Sequence, residues 1–264
     1  MRGTDDGRLA EIKSAPAFFD AENMAVTQYF ATSDDGASIP YFVVRRTDAD
    51  NPGPTLLNGY GGFETSRTPT YDGVLGRLWL ARWHTQAMRE GRDKVAQDFA
   101  AVATDLVTRG ITTAEQLGAR GGSNGGLLMG IMLTGYPEKF GALVCDVPLL
   151  DMKRYHLLLA GASWMAEYGD PDNPDDWKFI SEYSPYQNIS ANRKYPPVLM
   201  TTSTRDDRVH PGHARKMTVA LQAAGHPVWY YENIEGGHAG AADNAQIAFK
   251  SALSFAFLWR MLAG

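Results

Sequence analysis

Leu117-Gly118-Ala119-Arg120-Gly121-Gly122-Ser123-Asn124-Gly125-Gly126-Leu127-Leu128-Met129-Gly130-Ile131-Met132-Leu133 is the stretch on which the fold turns. An extended run over Leu117 to Arg120 meets a helical run over Leu127 to Leu133, and between them lies Gly-x-Ser-x-Gly. Alone, that pattern is common. Set between a strand and a helix, it has the form of a nucleophile elbow. Such a turn is too tight for bulky neighbours, stands a serine hydroxyl at a helix amino terminus, and leaves the next backbone N–H free to hold an oxyanion. The plain alternative, a glycine-rich strand-to-helix turn, asks no chemistry of Ser123.

A serine hydroxyl is a weak nucleophile, so it needs an imidazole base and an acid that orients the base, in the chain order serine, acid, histidine. Asp206 and Asp207 follow a strand ending near Thr202, and His238 follows a strand over Val228 to Ile234 through Glu235-Gly236-Gly237. Both places are loops at the carboxyl end of a strand. Spacing alone hardly separates the two aspartates, and Asp206 is the one favoured. His84 and His156 read as surface or packing residues, and His226 sits in a turn. His210 and His213 flank Pro211 beside the acid loop, where either could line the site.

Outward from the elbow, the pattern is strand then helix, repeatedly. Val26 to Ala31 and Ile39 to Val44 are β-rich runs around the turn Ser33-Asp34-Asp35-Gly36, and the first two dozen residues show no periodicity. After a linker over Asp48 to Pro54, Thr55-Leu56-Leu57 is a short strand ending in Gly59-Tyr60-Gly61-Gly62. Ala96 to Arg109 is an amphipathic helix. Phe140 to Cys145, Val198 to Thr202 and Val228 to Ile234 are strands, while Gly212 to Ala224 and Ala242 to Leu262 are helices. The segment from Tyr155 to Asn192, rich in Trp, Tyr, Pro and Asp, reads as an excursion from the sheet. This alternation predicts an α/β-hydrolase fold: a mainly parallel central sheet with helices on both faces, in one domain over 1–264 with a linker-like start over 1–24. Ligands of such sheets gather at the carboxyl ends of the strands.

Composition narrows the function. A formal net charge of -5 with no basic run argues against nucleic acid. Cys145 is the lone cysteine, which excludes an internal disulfide, and its apolar neighbours Leu143 and Val144 mark it as a buried, inert thiol. Neither a His-Glu-x-x-His nor a paired-cysteine spacing occurs, so neither a metal site nor any other cofactor is expected. No apolar core near Met1 suggests a signal peptide, and no run is long enough to span a membrane, so the expectation is a soluble, cytoplasmic chain.

These residues resemble the catalytic domain of the prolyl oligopeptidase family, from about Ser14 to Leu262. The blocks that carry the resemblance are Gly59-Tyr60-Gly61-Gly62-Phe63, Gly121-Gly122-Ser123-Asn124-Gly125-Gly126, Leu150-Asp151-Met152, Trp164 with Glu167-Tyr168-Gly169, Tyr183-Ser184-Pro185, Asp206-Asp207-Arg208-Val209 and Gly237-His238-Ala239-Gly240. The resemblance implies a triad of Ser123, Asp206 and His238, with the oxyanion held by the Tyr60 hydroxyl and the Asn124 backbone N–H. It implies a proline pocket in which Trp164 stacks on the ring and Phe63, Leu149, Tyr168 and Val209 form walls. It also implies that Arg208 binds a substrate carbonyl.

Two departures from the family accompany the likeness. Its members usually carry a β-propeller ahead of the hydrolase domain, for which too few residues precede the resemblance here. They also have a strand and a glycine-rich loop between a helix ending at Ala81-Arg82 and the segment beginning Trp83-His84, which this chain joins directly. A missing strand would leave a sheet edge exposed and invite a homodimer. The leading reading is a serine peptidase cutting after proline through an acyl-enzyme. A serine esterase with the same triad is the second, and a catalytically impaired interaction module the third.

Overall fold

The computed structural model describes residues 22–49, 51–63, 65, 89 and 92–263, with the backbone of short strands at 2–3, 9–10 and 78–80. Where no periodicity is legible, β1 (Arg2–Gly3) and β2 (Leu9–Ala10) nevertheless form a short antiparallel ladder. β3 (Met24–Thr32) and β4 (Ser38–Arg46) make the expected hairpin, in a register running from Met24↔Arg46 to Thr32↔Ser38. Its turn closes through Gly36 at φ 84°, a left-handed conformation that costs glycine little. Alternate residues Ile39, Tyr41 and Val43 of β4 are buried, the period of a strand with one face on the core. The Tyr41 hydroxyl donates to Asp105 at 2.6 Å and ties the hairpin to α1 (Arg92–Thr108).

Five strands form a wholly parallel sheet in the order β5 (Thr55–Asn58), β7 (Leu117–Gly122), β8 (Ala142–Asp146), β9 (Val198–Ser203) and β10 (Val228–Asn233). Helices connect them: α1, α2 (Asn124–Gly135), an excursion holding α3 (Met165–Tyr168) and α4 (Pro174–Tyr183), then α5 (Gly212–Ala223). Last comes α6 (Asn244–Leu262). Successive residues of β8 serve opposite faces. Leu143 and Cys145 join the cluster containing Met129, Met132, Met217 and Leu221 of α2 and α5, while Ala142 and Val144 pack with Leu258 and Leu262 of α6. Cover on both faces is why these strands read as unbroken apolar runs. It also explains α2, apolar all round and buried from Asn124 to Thr134. Burial pushes the Cys145 thiol far up, so it stays protonated and packs as a small apolar group.

One expectation changes. Leu78 to Leu80, in the run expected to be helical up to Ala81-Arg82, form the extended β6 (Leu78–Leu80), which pairs antiparallel with β4; Ala81 and Arg82 lie outside the described residues. The edge of β4 is open, and three apolar residues satisfy its backbone groups without needing helical periodicity. No ladder joins β6 to β5 among the described residues, so the hairpin sheet and the parallel sheet stay separate. The junction between Arg82 and Trp83 lies outside the described residues. No helix among the described residues is long and apolar enough to cross a membrane.

Parallel register brings the strand ends to one edge, with Gly122 opposite Asp146, Asp146 opposite Thr201, and Ser203 opposite Asn233. Tyr60, Ser123, Asp206 and His238 all follow shortly after strands that end there.

Candidate active site

Ser123 lies between β7 and α2 at φ 59° and ψ −116°, a conformation strained for any residue with a side chain. Its N–H donates to the Asp146 carbonyl at 2.9 Å and its carbonyl accepts the first helical bond from Leu127 at 3.1 Å. A serine at a helix start ordinarily turns its hydroxyl onto the first N–H groups. Here the positive φ swings it away, and no such cap forms. Two of the glycines are steric necessities: a Cβ on Gly121 would lie 2.3 Å from the Gly125 carbonyl oxygen, and one on Gly126 would lie 2.7 Å from the backbone of Pro148.

Asp206 is buried, and its Oδ1 accepts the backbone N–H groups of Arg208 and Val209, both at 2.9 Å. His238 Nδ1 lies 2.9 Å from each carboxylate oxygen. Because a carboxylate only accepts, Nδ1 carries the proton in this bond and Nε2 is the ring's free nitrogen in the neutral imidazole. Asp207 is exposed, and no hydrogen bond joins it to the ring among the described residues. The His238 loop is shaped by Gly236 at φ 87° and pinned where the Ser203 hydroxyl donates to the Gly236 carbonyl at 2.5 Å. No hydrogen bond joins Ser123 Oγ to His238 among the described residues.

On the other side of the elbow, Asn124 Nδ2 donates to the Tyr60 carbonyl at 2.6 Å, and Asn124 Oδ1 accepts from the Tyr168 hydroxyl at 2.7 Å. The Tyr168 ring meets Phe63 edge-on at 5.9 Å, and the Phe63 N–H donates to the buried Glu167 at 3.3 Å. Asn124, the residue after Ser123, thus ties the Tyr60 loop to Tyr168. Sequence reasoning assigned Asn124 only its backbone N–H and gave Glu167 no task; an amide between Ser123 and Gly125, with both ends able to bond, was the available signal. Leu149 and Val209 are buried, Trp164 is half-buried against the core, and Phe63 is partly exposed. Arg208 is exposed and forms no ion pair among the described residues.

The other described histidines bond to the scaffold. His213 is buried, and its Nδ1 accepts the Asp151 N–H at 3.0 Å. Burial pushes it down to about 4, so the ring stays neutral and cannot present a second N–H to that donor. His210 Nδ1 accepts the Gly212 N–H at 3.0 Å, and His226 stacks on Tyr195. His156 lies with Asp170 and Asp172 in the excursion, but Asp172 is already met by His156 at 2.9 Å and by Lys153 at 3.9 Å. His84 lies outside the described residues.

Parallel sheet, two-sided helical cover and a strained serine at a strand-to-helix elbow define an α/β-hydrolase. The chain superimposes on a post-proline cleaving enzyme from Rickettsia typhi with a TM-score of 0.93 and 36% identity, over 99% of this chain and 41% of that one. The model of the prolyl oligopeptidase family matches residues 81–264, and the chain belongs to that family. It is 44% identical to an uncharacterized peptidase, y4nA, of Sinorhizobium fredii, over 97% of this chain and 38% of the relative. It is 31% identical to a prolyl endopeptidase of Elizabethkingia miricola, over 96% of this chain and 39% of the relative. The chain therefore spans about two-fifths of the length of these relatives. The Sinorhizobium match runs over 276 residues against 264 in the chain, so the relative carries residues that this chain lacks.

Proposed function

We propose that the chain is a serine peptidase that hydrolyses the bond after proline through an acyl-enzyme on Ser123. The observation that carries the reading is the bond between His238 Nδ1 and the buried Asp206, on the same sheet edge as the strained Ser123. In this reading His238 Nε2 takes the Ser123 proton as Oγ attacks the scissile carbonyl. It then returns the proton to the leaving amine, and water repeats the sequence to release the acid. Catalytic hydrogen bonds of this kind commonly tighten only when substrate fills the site. The Asn124 backbone N–H and the Tyr60 hydroxyl would receive the oxyanion. Trp164 would stack on the proline ring between Phe63, Leu149, Tyr168 and Val209, with Arg208 on a substrate carbonyl. A peptide substrate, no cofactor and a cytoplasmic setting go with this reading.

The test compares a proline-containing amide with a short-chain nitrophenyl ester. Saturable turnover of the amide, with release after proline, is expected. Ester turnover with the amide at background would instead make the chain an esterase with the same triad. Within the peptidase reading, Tyr60→Phe is expected to lower kcat by about two to three orders of magnitude, the effect of losing one oxyanion donor. An unchanged melting curve would accompany it, and near-wild-type turnover would remove Tyr60 from the oxyanion hole.

A further inference from the structure

Beneath the site lies a group of buried charges that the proposed chemistry does not use. Asp146 ends β8, and its backbone carbonyl accepts the Ser123 N–H at 2.9 Å. Its carboxylate accepts from Arg120 of β7 at 2.7 Å and from the Thr201 hydroxyl of β9. Burial alone would raise the Asp146 pKa, but the charges of Arg120 and Lys250, with the Thr201 bond, hold it below the usual carboxylate value. Lys250 of α6 lies 4.0 Å from that carboxylate, itself almost buried. Its ammonium donates to the carbonyl of Ala239, the residue after His238, at 3.1 Å.

Arg120 already meets Asp146 at contact distance, and the Lys250 charge supplements that pair. What Lys250 adds beyond its charge is the bond to the histidine loop. The ammonium lies close under the loop: Gly240 adopts φ 73°, and a Cβ there would stand 2.5 Å from Lys250 Nζ. The turn then closes through the Gly240 N–H onto the Gly237 carbonyl at 2.9 Å, directly across His238. One residue, Asp146, therefore holds the elbow through its main chain and faces, through its side chain, the lysine that holds the histidine loop. Buried ion pairs contribute weakly to net stability and are better attested as devices that fix geometry.

We propose that Lys250, seated beside Asp146, is a positioning residue that sets the His238 loop against the Ser123 elbow. The proposal rests on the triad reading. Lys250→Met keeps the aliphatic stem and removes the donor to Ala239, leaving Asp146 paired with Arg120. Misplacing a reacting group by about an ångström can cost on the order of a hundredfold, so kcat per active site should fall about ten- to a hundredfold. KM should stay within about twofold, because the change does not touch the pocket.

The experiment counts active sites with a fluorophosphonate probe and measures both labelling rate and kcat per labelled site in wild type, Lys250→Met, Lys250→Arg and Ser123→Ala. Slower labelling and lower kcat per site in Lys250→Met, with most of both restored in Lys250→Arg, are expected. A merely structural role would reduce the number of labelled molecules without slowing those that label. Wild-type kcat per site in a folded Lys250→Met, or Lys250→Arg no better than Lys250→Met, would overturn the proposal while labelling at Ser123 stood. If Lys250→Met loses its native circular dichroism, Lys250→Gln takes its place, since it can still donate to Ala239 but carries no charge, and should fall between wild type and a full loss. Labelling that survives Ser123→Ala, or is absent from wild type, would sink the triad reading and this proposal with it.

Discussion

Ser123→Ala is expected to lower hydrolysis of a prolyl amide by on the order of 10⁴- to 10⁶-fold and to abolish covalent capture by a fluorophosphonate. The residual rate would come from the oxyanion donors and pocket, which do not need the hydroxyl. The same position yields a stability effect of opposite sense. Ser123 holds φ 59° and ψ −116°, which costs a residue with a Cβ about 1–3 kcal/mol and glycine far less. Alanine keeps that strain; glycine relieves it, against roughly 0.4–1 kcal/mol of added freedom in the unfolded chain. Ser123→Gly should therefore be as inactive as Ser123→Ala yet melt higher, by roughly 2–4 °C for about 1 kcal/mol in a chain of this size. Thermal melts of the two variants check this. A lower melting point for the glycine variant would show that the elbow is not where strain is stored, and undiminished capture by the alanine variant would place the nucleophile elsewhere.

How much of this was legible beforehand depends on what each element owes to its own residues. β8 and α2 were readable because burial from both sides demands apolar residues at nearly every position, a demand written directly into Ala142 to Cys145 and Leu127 to Leu133. The elbow was readable because Gly121, Gly125 and Gly126 stand where the turn leaves no room for a Cβ. Leu78-Trp79-Leu80 was not readable, since a short apolar run suits helix and strand alike and its pairing with β4 is decided by a distant edge. Asp206 and Asp207 could not be separated by position either. What distinguishes them is the turn that folds the Arg208 and Val209 N–H groups back onto one carboxylate. Lys250 was hidden most completely, because a lysine on an amphipathic helix reads as a solvated face until α6 is laid over the strand ends.

That same turn makes Asp206→Asn the sharper test of the triad. Two backbone N–H groups converge on Oδ1 and need an acceptor, so the asparagine would present its carbonyl oxygen to them. Its NH₂ would then face His238 Nδ1, which must become an acceptor and move the ring proton to Nε2. An imidazole protonated at Nε2 cannot take the Ser123 proton, although every atom stands where it stood. A loss of about 10⁴-fold in kcat is expected, with KM and the melting point near wild type. Nitrogen-15 NMR of the ring would show the tautomer exchanged. Asp207→Asn provides the contrast, since Asp207 is exposed and makes no hydrogen bond to His238 among the described residues, and it should stay close to wild type. If instead Asp207→Asn were the inactive variant, the carboxylate that orients His238 during turnover would be the exposed one, and the loop would have to rearrange to deliver it. If neither substitution mattered, the imidazole would not depend on a carboxylate at all, and the case for a base at position 238 would go with it.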